Sequence, residues 1–313
     1  MVGCGLLDHP SATTGHPLTP ITVGALEVPD AAPAYIARQN GYFRAEGLNV
    51  TIEPIQGAGP ALPALLGGSL QVIQANYVTV IQAAASGQKL LVIADNYQAA
   101  PGCFVLMVRK DSPIKSMADL KGLKVGVATR KSIGSLTVAS ALGVHGLKES
   151  DVDLVEFRLP EMVAALQKGI IAAAWLTEPF ITQGEADHGL ERLQDMIKDG
   201  PMEDFPIAGW AVSATWAAKN PRLVAAFQRA IIRAQHDAAD DRNAVTQVIP
   251  TYTKIPPQTA GIITLGTFPT SLDADRIQRV ANAMLEHGYL TKKFDVRPLL
   301  APALTPTTTG GHS

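Results

Sequence analysis

Cysteine is scarce in this chain of 313 residues, with only Cys4 and Cys103 present. That excludes a disulfide framework of the small secreted kind. A bridge between the two is unattractive, because Cys4 lies in a Gly/His/Pro/Thr stretch and Cys103 in a strand-like run. Long apolar runs are also lacking, and no segment approaches the roughly 18 uninterrupted residues of a membrane-spanning helix. Charge of one sign is missing: 26 basic residues face 28 acidic ones, a net charge of −2, so there is no footprint for nucleic acid. Aromatic content of 5% argues against a base-stacking platform. Enzyme motifs are missing as well. There is no G-x-S-x-G elbow and no Walker A loop, and Leu62 stands where a dinucleotide fingerprint needs its third glycine. None of the seven histidines (His9, His16, His145, His188, His236, His287 and His312) has the spacing of a metal-ligand pair. The expectation is a non-enzyme without metal or cofactor.

What is present is apolar substance, 47% of the residues, and enough length for two domains of about 150 residues. Residues 1–18 and 301–313 read as low-order tails. Between them helix and strand patterns alternate. Strands are expected at Ile21–Leu26, Leu48–Ile52, Leu70–Gln74 and Leu90–Ala94, with helices between them, which predicts a parallel sheet. A second series begins after the apolar run Phe104–Val108, with strands at Lys124–Val127, Leu154–Phe157 and Ile171–Trp175. The last third is mostly helical. A long helix follows Pro221, with the stripe Leu223, Val224, Phe227, Ile231 and Ala234, and Ser271 is expected to cap a final one. Periodicity does not decide whether this third forms its own unit or completes the first.

Met1-Val2-Gly3-Cys4 resembles the end of a bacterial lipoprotein signal, without that signal's charged and apolar parts. Acylation at Cys4 is the expectation, with Gly5–Pro20 as a tether and no other membrane contact; the alternative is a stray cysteine.

Candidate binding residues gather where strands end. Gln56, Gly57, Ala58 and Gly59 join a strand to a helix, and so do Thr129, Lys131, Ser132, Gly134 and Ser135. Such loops offer backbone donors at the positive end of a helix dipole, although one alone is ordinary turn chemistry. Arg130 and Lys131 add positive charge to the second. Asn76 and Tyr77 follow the third strand, Tyr97 the fourth, and Trp175 and Glu178 a strand of the second block. Ligands of open α/β sheets lie beyond the carboxyl ends of strands, so these positions face the expected site. Core packing is the competing reading for Tyr77 and Tyr97, and for Trp210 the core and ligand-stacking readings are equal.

The helix motif G-Y-F-x-x-E-G-L-x-V at Gly41–Val50, the glycine-rich loop after it and A-A-W-L-T-E-P at Ala173–Pro179 together resemble one family. It comprises the periplasmic binding proteins for sulfonates, taurine, nitrate and thiamine precursors. Asp119–Gly126 and the Lys219-Asn220-Pro221 helix entry support the match, which runs over about Ile21–Leu290. The resemblance implies a type II periplasmic-binding-protein fold: two α/β lobes joined by a two-strand hinge. Lobe I would be discontinuous, residues 19–107 and 213–300, and lobe II residues 108–212. It also implies the extracytoplasmic solute-binding component of an ABC importer. Such a component is expected to be a monomer that closes its lobes on a small molecule and delivers it to permease and ATPase subunits. Two enzymatic relatives fit less well. A desulfinase carries its cysteine nucleophile in the loop after the first strand, which here reads Glu27-Val28-Pro29-Asp30, and a pyrimidine synthase carries a cysteine-rich iron motif that is absent.

Arg130, Lys131 and the helix ends favour an acidic ligand group, and Val28 and Pro29 in the first loop, which also offers Asp30 as a candidate contact, favour an apolar or aromatic body. A sulfonate or aromatic acid is therefore expected. A pyrimidine, thiamine-precursor or flavin-type vitamin is the alternative, because Tyr77, Tyr97, Trp175 and Trp210 are placed to sandwich a ring.

Overall fold

The computed structural model describes residues 17–198 and 201–302; Cys4, with its expected lipid anchor, lies outside them. The chain starts with β1 (Thr19–Ala25), α1 (Ala32–Gln39), α2 (Tyr42–Ala45), β2 (Leu48–Pro54), α3 (Ala58–Gly67), β3 (Val72–Asn76), α4 (Tyr77–Ala85) and β4 (Leu90–Gln98). It crosses into a second lobe of β5 (Phe104–Arg109), β6 (Lys124–Val127), α5 (Ile133–Val144), β7 (Asp153–Glu156), α6 (Leu159–Gln167), β8 (Ala173–Thr177), α7 (Phe180–Asp187) and β9 (Leu190–Asp195). It returns as β10 (Pro206–Ser213), followed by α8 (Ala214–Lys219), α9 (Pro221–Asp240), α10 (Arg242–Val248), α11 (Pro257–Ile262) and α12 (Ala274–Glu286).

The two sheets share one plan: β2-β1-β3-β10-β4 and β7-β6-β8-β5-β9. In each, the strand arriving from the other lobe takes the fourth place and runs antiparallel to both neighbours. The expected parallel sheets are thus mixed. The expected lobe boundaries also shift. β5 pairs with β8 and β9 in the second sheet, and β10 pairs with β3 and β4 in the first. The apolar runs at 104–108 and 207–213 are core strands of their own lobes, so the crossings fall at 99–103 and 196–205. Asp195 ties the crossings together. Its Oδ2 accepts the Gly102 N–H at 2.7 Å, and its Oδ1 accepts those of Ile197 and Lys198. Gly102 sits at φ +86°, a left-handed conformation that glycine adopts without strain.

The helical last third returns to the first lobe. α9 packs on α1, α2 and β4, and α12 on α4 and β10. Pro221 occupies the first turn of α9, where its missing N–H costs nothing. The apolar stripe of α9 then delivers Phe227 onto Phe43, stacked at 5.2 Å, and edge-on to Trp210 at 6.0 Å. The cap of α12 is Asp273 rather than Ser271; its carboxylate accepts the Asp275 and Arg276 N–H groups.

Gly209 marks how closely β10 lies against β4. A Cβ there would stand 2.9 Å from the Ala94 carbonyl oxygen, from Val92 and from the Tyr77 hydroxyl. Gly209→Ala is therefore expected to destabilise by about 1–3 kcal/mol, measured by thermal or urea melts. An unchanged midpoint would show that the strands have room to part.

Candidate functional site

The strand order places the carboxyl ends of β1, β3, β6 and β8 at one interlobe cleft, together with the starts of β5 and β10. A cavity of about 110 Å³ lies there, on the scale of the roughly 150 Å³ apolar cavity that takes up one benzene ring. The first lobe contributes Leu26, Val28, Pro29 and Asp30 after β1, and Gln56–Gly59 at the start of α3. It also supplies Gln74, Asn76, Thr79 and Tyr97, and Ile207 and Ala208 from β10. The second lobe contributes Phe104, Ala128, Thr129, Ser132, Ile133, Leu159, Trp175, Thr177 and Glu178. Cys103 and Thr264 complete the wall.

Trp175 is the largest side chain of the second-lobe wall. Its indole N–H donates to Thr137 Oγ1 at 3.0 Å, and its ring lies 4.8 Å from that of Phe104, tilted by 41°. Gly134 makes room for it, because a Cβ there would sit 3.1 Å from the indole. The Trp175 N–H is thus spent inside the protein, and the ring offers the cavity its apolar surface.

The polar groups fall into two sets. Asn76 Oδ1 caps α4 through the Thr79 N–H at 2.9 Å, and Ser132 with Ser135 forms the capping box of α5. No side chain caps α3, so its first-turn amides on Ala58 and Gly59 are open to a ligand. Glu178 bridges the lobes. Its carboxylate accepts the Thr182 N–H and hydroxyl on its own lobe and the Thr264 N–H at 3.0 Å from the other. Burial raises its pKa despite those donors. Asp30 is pushed up to about 6, chiefly by burial, with the Gln74 amide pulling the other way. Its loop is braced from behind: Asn96 Nδ2 donates to the Asp30 carbonyl at 2.8 Å, and the Tyr252 hydroxyl to that of Val28 at 3.1 Å.

Twelve of the residues singled out from the sequence meet at this cavity: Val28, Asp30, Gln56, Gly57, Ala58, Gly59, Asn76, Tyr97, Thr129, Ser132, Trp175 and Glu178. Five do not line it. Tyr77 points behind β3 and donates to Asp95 Oδ1 at 2.8 Å. Trp210 faces Phe227 of α9 in the core. Ser135 is occupied as the partner of the Ser132 N–H, and Gly134 lies behind the indole. Lys131, at φ +50°, is exposed on an outer groove shared with Glu149, His287 and Tyr289. Arg130 turns away too, donating to the Leu154 carbonyl and pairing with Asp153. The two cations behind the expectation of an acidic ligand therefore do not reach the cavity.

Gln74, Phe104 and Thr264 were not singled out. Gln74 carried a signal, a long polar side chain inside an otherwise apolar strand. Phe104 opens the apolar run 104–108, where nothing marks it from its neighbours, and Thr264 lies in a segment without periodicity. Cys103 is a small buried wall residue whose thiol burial pushes up to about 11, so it is protonated at neutral pH and a poor nucleophile. Among the described residues, no group of three or more His, Cys, Asp or Glu is placed to hold a metal ion, and no helix is long and apolar enough to cross a membrane.

Comparison with known proteins fits this geometry. The model of the family described as "NMT1/THI5 like" matches residues 28–244. The riboflavin-binding protein RibY of Chloroflexus aurantiacus is 24% identical over 73% of this chain and 65% of its own length, so this chain spans about two thirds of that relative. A putative aliphatic sulfonates-binding protein of Escherichia coli is 27% identical over 77% of this chain and 76% of its own length. Among solved structures, the alkanesulfonate-binding protein SsuA of Xanthomonas axonopodis pv. citri, bound to MOPS, superimposes with a TM-score of 0.75 at 18% identity, covering 91% of this chain and 99% of that one. The desulfurization enzyme DSZB superimposes with a TM-score of 0.66 at 18% identity, over 91% of this chain and 96% of that one. At such identities the structures establish the periplasmic-binding-protein fold and leave the ligand to the cavity's own chemistry.

Proposed function

The chain belongs to the NMT1/THI5-like family, and on that premise we propose that it is the solute-binding component of an ABC importer. It would work outside the cytoplasmic membrane, take up a compact organic solute between its lobes and hand it to permease and ATPase subunits. The observation that carries this reading is the interlobe cavity itself. It is walled by apolar side chains and fringed by a few polar groups, and each lobe supplies a face. Both lobes come from one chain, so a monomer suffices. The Glu178–Thr264 hydrogen bond spans the cleft and is of the kind that forms on closure and breaks on opening. Ligand binding would favour the closed arrangement by its differential affinity for it. A thiolate-based enzyme is disfavoured by the protonated Cys103.

A thermal-shift screen of riboflavin, taurine, alkanesulfonates, aromatic acids and pyrimidines tests the reading. A ligand at a hundred times its Kd stabilises by about 2.7 kcal/mol, a shift of several degrees. Trp175→Ala is expected to weaken the best ligand at least tenfold in titration calorimetry, and the milder Trp175→Phe serves if the alanine variant does not fold. A solute whose affinity is unchanged in both variants would place binding elsewhere.

A further inference from the structure

The pole of the first lobe opposite the cleft is basic and partly apolar, and the solute site uses none of it. β1 and β3 run parallel, and β10 runs antiparallel to β3 and β4, so the starts of β1, β3 and β4 and the end of β10 share this pole. α3, which begins at the cleft, ends here at Gly67. A shallow groove of about 300 Å³ lies between that helix end, Lys89 ahead of β4, and α8. Leu66, Lys89, Trp216 and Lys219 line it. Leu66 is 42% exposed, Trp216 is half-buried, and both lysines are exposed. Arg222, also exposed, follows at the start of α9.

The charge of this pole is one-sided. No acidic residue occurs between Glu53 and Asp95 or between Asp204 and Asp237, the two stretches that build the groove, although the whole chain carries a net charge of −2. Glu46, at the same pole, is spent on Arg229 at 2.7 Å. None of the ion pairs among the described residues engages Lys89, Lys219 or Arg222. The carbonyl end of α3 supplies only about half a negative charge, which two lysines outweigh. A tryptophan and a leucine among unpaired cations suit the headgroup level of a bilayer, where apolar surface enters the interface and the cations meet phosphates. The described chain also begins at this pole. Thr19 opens β1 with its N–H on the Gly47 carbonyl at 2.8 Å, so residues 1–16 attach here. The acyl anchor expected at Cys4 would hold this pole, rather than the cleft, toward the membrane.

We propose that this pole docks on an anionic phospholipid bilayer, with Lys89, Lys219 and Arg222 on headgroup phosphates and Trp216 with Leu66 in the interface. The contact is additional to any acyl anchor and leaves the cleft free. It rests on the extracytoplasmic placement proposed above and not on the identity of the solute.

Cosedimentation of the full chain with phosphatidylcholine vesicles, with and without phosphatidylglycerol, tests it; Cys4→Ser is carried throughout so that no acyl chain contributes. The protein is expected to bind the phosphatidylglycerol vesicles at least tenfold tighter and to lose that preference at high salt. The double variant Lys89→Gln with Lys219→Gln is expected to weaken binding about fivefold for each charge removed. Lys168→Gln, at an exposed lysine of the second lobe, is expected to change nothing. Brominated lipid is expected to quench the half-buried Trp216 and not the buried Trp175 and Trp210, so Trp216→Phe removes the quenching. Equal binding to both vesicles or binding to neither, an equal loss in the Lys168 variant, or quenching that survives Trp216→Phe would overturn the proposal and leave the solute-binding reading standing. Binding to the purified permease that depends on Lys89 and Lys219, without binding to vesicles, would assign the pole to a protein and overturn it as well.

Discussion

Replacing Arg276 with methionine is expected to lower the free energy of unfolding by about 3–5 kcal/mol. Arg276 projects from the first turn of α12 and pairs with Asp95 of β4, whose side chain is 0% exposed. Asp95 Oδ1 also accepts the Tyr77 hydroxyl and the Asn96 N–H, and Arg276 Nη1 donates to Gln98 Oε1. Gln235 of α9 ties in the same stretch, donating to the carbonyls of Asp95, Asn96 and Pro269. Removing the guanidinium leaves a buried carboxylate with two neutral donors and no counter-charge, and that uncompensated charge is the source of the loss. The double variant Arg276→Met with Asp95→Asn is therefore expected to recover more than half of it. A single variant within about 1 kcal/mol of the wild type in urea melts would show that the pair is screened by water. The same network carries Asn96, which braces the Asp30 carbonyl, so the single variant is also expected to weaken ligand binding.

Asp30→Asn is expected to stabilise the ligand-free protein at pH 8 by up to about 3 kcal/mol and to leave it unchanged at pH 4 or below. The sign follows from the direction of the shift. In the unfolded chain Asp30 titrates near 3.8, and in the folded protein near 6. Below both values the side chain is protonated in both states and contributes nothing. As pH rises from about 4 to 6 the unfolded chain loses the proton first, so unfolding becomes easier. Above 6 the folded state carries the full penalty of a buried charge, about two pKa units or roughly 3 kcal/mol. Tyr97 and Tyr252 face the carboxyl from β4 and from the segment after α10, and neither supplies a positive charge. A residue that costs the free protein stability in this way is what a binding site built for its ligand retains. Melting curves from pH 4 to 8 check it, and equal stability of the two proteins at pH 8 would contradict the burial of this charge.

Much of this architecture was legible beforehand, and the reasons are local. Apolar runs of strand length bounded by glycine revealed most of the strands. Ser132 and Pro221 at helix starts located α5 and α9, where capping chemistry is short-range. Loops such as Gln56–Gly59 and Thr129–Ser132 were findable because strand ends face the cleft in any such sheet. β9 was missed, since Leu-Glu-Arg-Leu-Gln-Asp lacks the apolar density of a core strand; it lies at the sheet edge. Side-chain direction was the other limit. Tyr77 and Thr79 lie two residues apart on α4, yet one points to Asp95 and the other lines the cavity. The aim of Arg130 depends on the Leu154 carbonyl, which belongs to another strand and leaves no mark in the local pattern.

The most direct test is the crystal structure of the protein with the tightest solute from the screen. The account predicts that solute between the lobes, against Trp175 and Phe104, with an acceptor within about 3.2 Å of the Ala58 or Gly59 N–H at the start of α3. A solute bound outside this cleft, or no electron density for it between the lobes at saturating concentration, would contradict it.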